Sequence, residues 1–143
     1  MSGQPIQCRV ADWSIDRDTL SNIRYRVFIE EQKVPVELEW DEYDNSATHF
    51  IASCDDTAVA CARLKSDGQI GRMAVLQDYR NQGIGQALLR FVLQTAAEKN
   101  MNEVYLHAQV SAIPFYEKQG FITVGDIFYE ADIPHREMLK KIC

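Results

Sequence analysis

From Ile84 onward the hydrophobic positions recur at helical spacing: Ile84, Ala87, Leu88, Phe91, Val92, Thr95 and Ala96 share one side. Leu89, Leu93 and Ala97 widen that stripe and leave Gln86, Arg90, Gln94 and Glu98 as a narrow polar line. A helix so patterned packs on a sheet, and Asn100 is its expected stop. Residues 69–75 before it read as a strand. Residues 104–110 after it alternate apolar and polar with period two, which is also a strand pattern. Residues 112–120 read as a short helix opened by Pro114 and ended by Gly120.

The remainder is read on the same grounds. Residues 7–10 form a short first strand, and a helix runs from Asp18 to about Gln32 with Leu20, Ile23, Val27 and Phe28 on one side. An acidic loop spans residues 34–44. Residues 49–54 and 59–65 make a hairpin across Asp55-Asp56-Thr57, and residues 125–130 and 136–140 are two closing strands. Strands interspersed with helices indicate an α/β layer around one central sheet. At 143 residues and 46% hydrophobic, the chain buries a real core but leaves no room for a second domain, so residues 1–143 are expected to form a single domain.

Composition removes several classes of function. The net charge of −6 disfavours a nucleic-acid partner and suits a cationic amine. No apolar run is long enough to span a bilayer, so no membrane partner is expected. Met1-Ser2-Gly3-Gln4-Pro5 lacks the basic and apolar regions of a secretory signal, so cytoplasmic residence is expected. Cys8, Cys54, Cys61 and Cys143 have neither metal-ligand spacing nor a disulfide-framework pattern, and no metal is expected. Cys54 and Cys61 lie in apolar strand contexts with no sign of activation. They read as small buried hydrophobes rather than nucleophiles.

The chemistry concentrates at the strand-to-helix junction Tyr79-Arg80-Asn81-Gln82-Gly83-Ile84-Gly85-Gln86-Ala87. Glycines there let backbone N–H groups and the positive end of a helix dipole approach a phosphate. A P-loop would need Lys-Ser/Thr after the last glycine, and this chain has Gln86-Ala87. A dinucleotide fingerprint would need a third small residue where Leu88 stands. Arg80-x-x-Gly83-x-Gly85 instead resembles the pyrophosphate loop of the GCN5-related N-acetyltransferases. Ala112-x-x-Phe115-Tyr116-x-x-x-Gly120-Phe121 is similar to the second signature of that family, in the right order. Residues 24–32 and 39–44, with Ile133-Pro134-His135 and Met138, look like the ElaA-like branch. Acyl-homoserine-lactone synthases share Arg-x-x-x-Phe and an acidic run but are longer and lack the clear glycine loop.

The resemblance implies a mixed, mostly antiparallel sheet splayed open beside acetyl-coenzyme A and flanked by helices. It implies acetyl transfer to a primary amine of a small molecule or protein. A coenzyme-binding regulatory module without turnover is the alternative. Backbone groups of Met73, Ala74 and Val75 are expected to bind the pantetheine arm and acetyl carbonyl. Asn81, Gln82, Gly83, Ile84, Gly85 and Gln86 would surround the pyrophosphate. Arg80 adds charge there or is a solvated loop residue. Gln109 stands where many members place Asn, to bond the pantetheine amides, and Phe115 lies alongside. Tyr116 occupies the position of a general acid, or is one of two packing aromatics with Phe115. For the base, Glu30, Glu31, Asp41, Glu42 and Asp44 are carboxylates expected near the cleft, with Glu31 and Glu42 as first choices. His107 is a base, a structural residue or a contact of the cofactor arm. Family members often form dimers, and the closing strands offer edges for a homodimer.

Overall fold

The computed structural model describes residues 5–36 and 41–142. Among them are strands β1 (Ile6–Ala11), β2 (Thr48–Cys54), β3 (Thr57–Leu64), β4 (Gln69–Val75), β5 (Glu103–Gln109), β6 (Ile122–Glu130) and β7 (Ile133–Lys141). The helices are α1 (Trp13–Arg24), α2 (Ile84–Glu98) and α3 (Ile113–Glu117). The strands form one sheet in the order β1-β2-β3-β4-β5-β7-β6. Neighbours run antiparallel except β4 and β5, which are parallel. This is the mixed, splayed sheet that the family resemblance implied.

The splay has a definite origin. β4 and β5 pair only at Gln69↔Tyr105 and Ile70↔Leu106. Beyond Ile70, β4 stays with β3 and β5 stays with β7, so a wedge opens between them. β4 also carries a bulge. Arg63 faces Gly71 while Cys61 faces Ala74, so β4 has one extra residue, and Arg72 sits at φ 48°. Such a bulge bends its strand and re-aims nearby side chains.

Helices cover both faces. α2 lays Leu88, Leu89, Val92 and Ala96 against Phe50, Ala52, Val59 and Ala60, in the apolar stripe expected from its sequence. Its chain reverses at Asn100, in the left-handed conformation (φ 65°), where a stop was expected. α1 packs Leu20, Ile23 and the following Val27 on Ile51, Cys61 and Ala74. Cys54 and Cys61 are buried in these two cores.

Three readings of the elements change. The first helix begins at Trp13, not Asp18, because the Asp12 carboxylate caps it by accepting from Ser14 N–H and Oγ–H at 2.9 and 2.6 Å. From Tyr25 to Glu31 it widens into a π-helix, with Gln32 N–H bonded to Val27 O at 3.0 Å. The acidic loop contains a short 3-10 turn, Glu42–Asn45, capped by Asp41, while its residues 37–40 lie outside the described residues. The first hairpin is where it was expected, but only Asp55 and Asp56, both at positive φ, make its tight two-residue turn, and Thr57 already belongs to β3.

Candidate active site

The wedge between β4 and β5 continues into a cavity of about 1320 Å³. Its walls are Gly71–Val75 of β4, Leu106, His107 and Gln109 of β5, the loop before α2, and Phe115 and Tyr116 of α3. That volume exceeds the ~300–1,000 Å³ usual for one small ligand.

The β4 wall presents backbone. Leu76 N–H bonds back to Val59 O at 2.9 Å. Alternation along the strand then turns the peptide groups of Ala74 toward β3 and those of Met73 and Val75 toward the wedge. Ala74 therefore offers the cavity a small surface rather than a hydrogen-bonding group, and its methyl lies in the core beneath α1.

At the end of that wall α2 begins with no side-chain cap. An α-helix leaves its first four N–H groups without intrahelical partners, and here the first turn lines the cavity at Ile84, Gly85 and Gln86. Asn81 (φ 63°) and Gly83 (φ 83°) both adopt the left-handed conformation, which produces the sharp reversal. A Cβ on Gly83 would meet nothing within 4 Å, whereas one on Gly85 would touch Phe115 and Val75 at 3.6 and 3.7 Å. Position 83 is therefore governed by backbone and not by space. Gly83→Ala is expected to lower stability by about 1–2 kcal/mol. Gly83→Asn, better suited to that conformation, should cost less. Thermal unfolding of the two variants checks the order.

Arg80 lines the cavity and is partly exposed, but its side chain is engaged by protein partners. Its Nη1 and Nη2 donate to the two oxygens of Glu31 at 2.6 and 2.7 Å, and its Nε donates to Val75 O at 2.9 Å. It ties the glycine loop to β4 and to the π-helical turn. Hydrogen bonding from Arg80 outweighs partial burial and holds the Glu31 carboxyl below the usual range, opposite to what a base needs. π-Helical turns recur at functional sites, and this one brings Phe28 and Gln32 to the cavity. Gln32 Oε1 accepts from Gln109 Nε2 at 2.9 Å, closing the wall from the β5 side.

Tyr116 reaches back over β4. Its hydroxyl donates to Met73 Sδ at 3.6 Å, and its ring packs edge-on against Phe115 and Phe121. Burial pushes its pKa up to about 12.

The five carboxylates expected near the cleft stand elsewhere. Glu30 and Glu31 border a separate shallow hollow, and Glu42 is exposed on its 3-10 turn. Asp41 and Asp44 belong to an ion-pair ladder. Arg24 binds Asp44 at 2.9 and 3.3 Å, and Arg63 Nη1 bridges Asp44 and Asp41 at 3.0 and 2.7 Å. Arg72 meets Asp41 at 3.1 Å. The two segments that resembled the ElaA-like branch thus join through Arg24 and Asp44. Arg63 and Arg72 carried no sequence signal, because their partners are distant in the chain.

The carboxylate that does line the cavity is Glu130, which lies 3.1 Å from His107 Nδ1. Sequence reading had placed Glu130 only as the end of a strand. Among the described residues no group of His, Cys, Asp and Glu is arranged to hold a metal ion, and no helix is long and apolar enough to cross a membrane.

Residues 16–142 match the family model of the acetyltransferase (GNAT) domain. The chain is 33% identical over 122 residues to the uncharacterized N-acetyltransferase YjcF of Bacillus subtilis, covering 82% of this chain and 87% of that one. It is 34% identical over 131 residues to protein ElaA of Escherichia coli, covering 86% of each. The crystal structure of E. coli ElaA matches with a TM-score of 0.85 and 29% identity, over 96% of this chain and 100% of that one. Arabidopsis thaliana Naa50, in complex with the bisubstrate analogue CoA-Ac-MVNAL, matches with a TM-score of 0.75 and 25% identity, over 95% and 98%.

Proposed function

The chain belongs to the GNAT acetyltransferase family, in its ElaA-like branch, and from that premise we propose that residues 1–143 act as one domain that transfers an acetyl group from acetyl-coenzyme A directly to a primary amine of a small molecule or protein. The observation that carries this reading is the uncapped start of α2 at the mouth of a wedge walled by β4 backbone. The residues present fit the coenzyme. N–H groups of Gly83, Ile84, Gly85 and Gln86 would hold the pyrophosphate, with Asn81 and Gln82 shaping the reversal. Met73 and Val75 would pair with the pantetheine arm, opposite Gln109 and Phe115. The CoA-containing ligand of Naa50 supports the same choice of donor.

Bound acetyl-coenzyme A supplies a thioester that the amine attacks. A wedge N–H of β4 stabilises negative charge at the carbonyl oxygen. Tyr116 Oη holds a proton for the departing sulfur. Among the described residues Cys54 and Cys61 are buried in the cores and Cys8 lies on β1, none of them in the cavity wall, so direct attack by the amine is the proposed route. Initial-rate plots should therefore intersect rather than run parallel. Cytoplasmic residence and a homodimer complete the proposal. The edge strand β6 supports the dimer, with Ile122, Val124, Ile127 and Tyr129 exposed along it.

The test is thiol release from acetyl-coenzyme A across polyamines, aminoglycosides, amino acids and basic-tailed peptides. Calorimetry of coenzyme binding and sedimentation velocity accompany it. Turnover with one amine class is expected. Binding without turnover would favour the non-catalytic module, and absence of binding would overturn the reading of the 80–85 loop.

A further inference from the structure

His107 faces the cavity from β5, on the opposite side of the strand from buried Leu106 and Ala108. Three strands converge on its ring. Nδ1 lies 3.1 Å from Glu130 Oε2 at the end of β6, and Nε2 lies 3.6 Å from Glu137 Oε1 of β7, its register partner. Phe128 packs edge-on against the ring at 5.1 Å and stacks on His135 at 5.9 Å. His135 Nε2 stands 3.8 Å from the second oxygen of Glu130, and its Nδ1 lies 2.7 Å from Ile133 O. The turn that delivers Glu130 is tight, with Ala131 and Asp132 both at positive φ. It is the same two-residue hairpin turn as Asp55-Asp56 and fixes the register that brings Glu130 beside His107.

The closer carboxylate, Glu130 at 3.1 Å against Glu137 at 3.6 Å, favours the tautomer with the proton on Nδ1. With Nδ1–H donating to Glu130, the lone pair of a neutral imidazole is on Nε2. An oxygen 3.6 Å from that lone pair leaves room for one nitrogen within hydrogen-bond reach of both. Such a nitrogen must donate twice, which an ammonium does.

We propose that His107, oriented by Glu130, takes the proton of the acceptor amine, and that Glu137, half-exposed beside the cavity rather than in its wall, draws the incoming ammonium to His107 Nε2. The proposal rests on the acetyl-transfer reading and supplies the base that reading lacks. The protons balance. The ammonium gives one to His107 Nε2, freeing its lone pair to form the bond to the acyl carbon. As the carbon–sulfur bond breaks, its electron pair stays on sulfur and Tyr116 Oη donates a proton there. The second nitrogen proton restores Tyr116, the third stays on the amide, and His107 discharges to solvent.

Hydrogen bonding to Glu130 raises the His107 pKa, burial opposes it, and the charges of Glu130 and Glu137 raise it against Lys65. Tyr105 and His135 also face this cluster, and Arg72 acts on Glu130. The sign is therefore fixed: His107 is protonated and inactive in acid, and activity rises as pH passes a value above the ordinary 6.5.

The test uses n-butylamine as acceptor probe and ring NMR of His107 in the coenzyme-free protein. His107→Gln is expected to lower kcat/KM about tenfold at neutral pH, below the usual range for a base because part of the probe loses its proton to solvent unaided. It should move the acid limb up from the His107 titration toward the pKa of the amine itself, about 10.4 as for lysine, and leave coenzyme affinity unchanged. Glu130→Gln should move both the NMR titration and the acid limb to lower pH. Glu137→Gln should raise KM for n-butylamine with little change in kcat. An acid limb that stays in place in His107→Gln, or a titration unmoved by Glu130→Gln, overturns the proposal. Loss of coenzyme binding in the unaltered protein would instead defeat the acetyl-transfer reading.

Discussion

Asp44→Ala is expected to cost about 3–5 kcal/mol of folding stability, the usual penalty for removing one partner of a buried ion pair. The Asp44 side chain is 5% exposed and Arg24 opposite it 1% exposed, so water cannot replace the lost carboxylate. Two guanidinium groups lose a partner at once, because Arg63 shares the same oxygen. Arg63 Nε is already buried without a hydrogen bond, which leaves that group little reserve. The residues also join four parts of the fold: α1, the 3-10 turn, β3 and, through Asp41 and Arg72, the bulge of β4. Urea denaturation at neutral pH measures the loss, and a loss under about 1 kcal/mol, as for a surface pair, would show that the ladder is ornamental. Acid gives a second view. Burial raises the Asp44 pKa, but the bonds from Arg24 and Arg63 outweigh it and leave the group below its usual value. Its stabilisation is thus complete above the unfolded carboxyl pKa of about 3.9 and is lost as pH falls through the folded one. Asp44→Ala should flatten that part of the pH–stability curve.

The ladder also shows where sequence reading stops. Arg24 and Asp44 are 20 residues apart, Arg63 and Asp41 are 22, and Arg72 and Asp41 are 31. Periodicity reports which face of an element is buried and says nothing about which distant element covers it. Within one element the reading was close. The α2 stripe, the turn at Asn100, the Asp55-Asp56 hairpin and the alternation of β5 all follow from local rules, and all appear. The glycine loop was legible for the same reason, since a left-handed residue at a helix start leaves a mark in composition. The early start of α1 was legible in principle through Asp12 and Ser14, a capping pair that the apolar spacing does not include. Glu31 shows the opposite limit. As a carboxylate near a cleft it met every sequence criterion for a base, yet Arg80, 49 residues away, occupies both its oxygens. His107 and Glu130, 23 residues apart on different strands, come together only because β7 lies between β5 and β6.

Tyr116→Phe is expected to lower kcat about 10–100-fold, at or below the usual range for a general acid. The hydroxyl contributes little else. Its partner is a thioether, a weak acceptor, so its removal should cost less than about 1 kcal/mol of stability. The ring, which packs on Phe115 and Phe121, remains. Coenzyme affinity should be unchanged, which separates a lost proton donor from a collapsed wall. The pKa of about 12 has two consequences. The phenol stays protonated throughout the neutral range, so the donor is always loaded. It is also a weaker acid than a solvated phenol, whose pKa is about 10. Transfer to sulfur is then favourable only because the burial that raises the Tyr116 pKa also raises the proton affinity of a thiolate formed beside it. The pH profile distinguishes this from an exposed tyrosine. With Tyr116 as donor, kcat at saturating amine should hold through pH 10 rather than fall there. A decline centred near 10, or a Tyr116→Phe variant with unaltered kcat, would remove Tyr116 from the chemistry and leave it as an aromatic wall of the wedge.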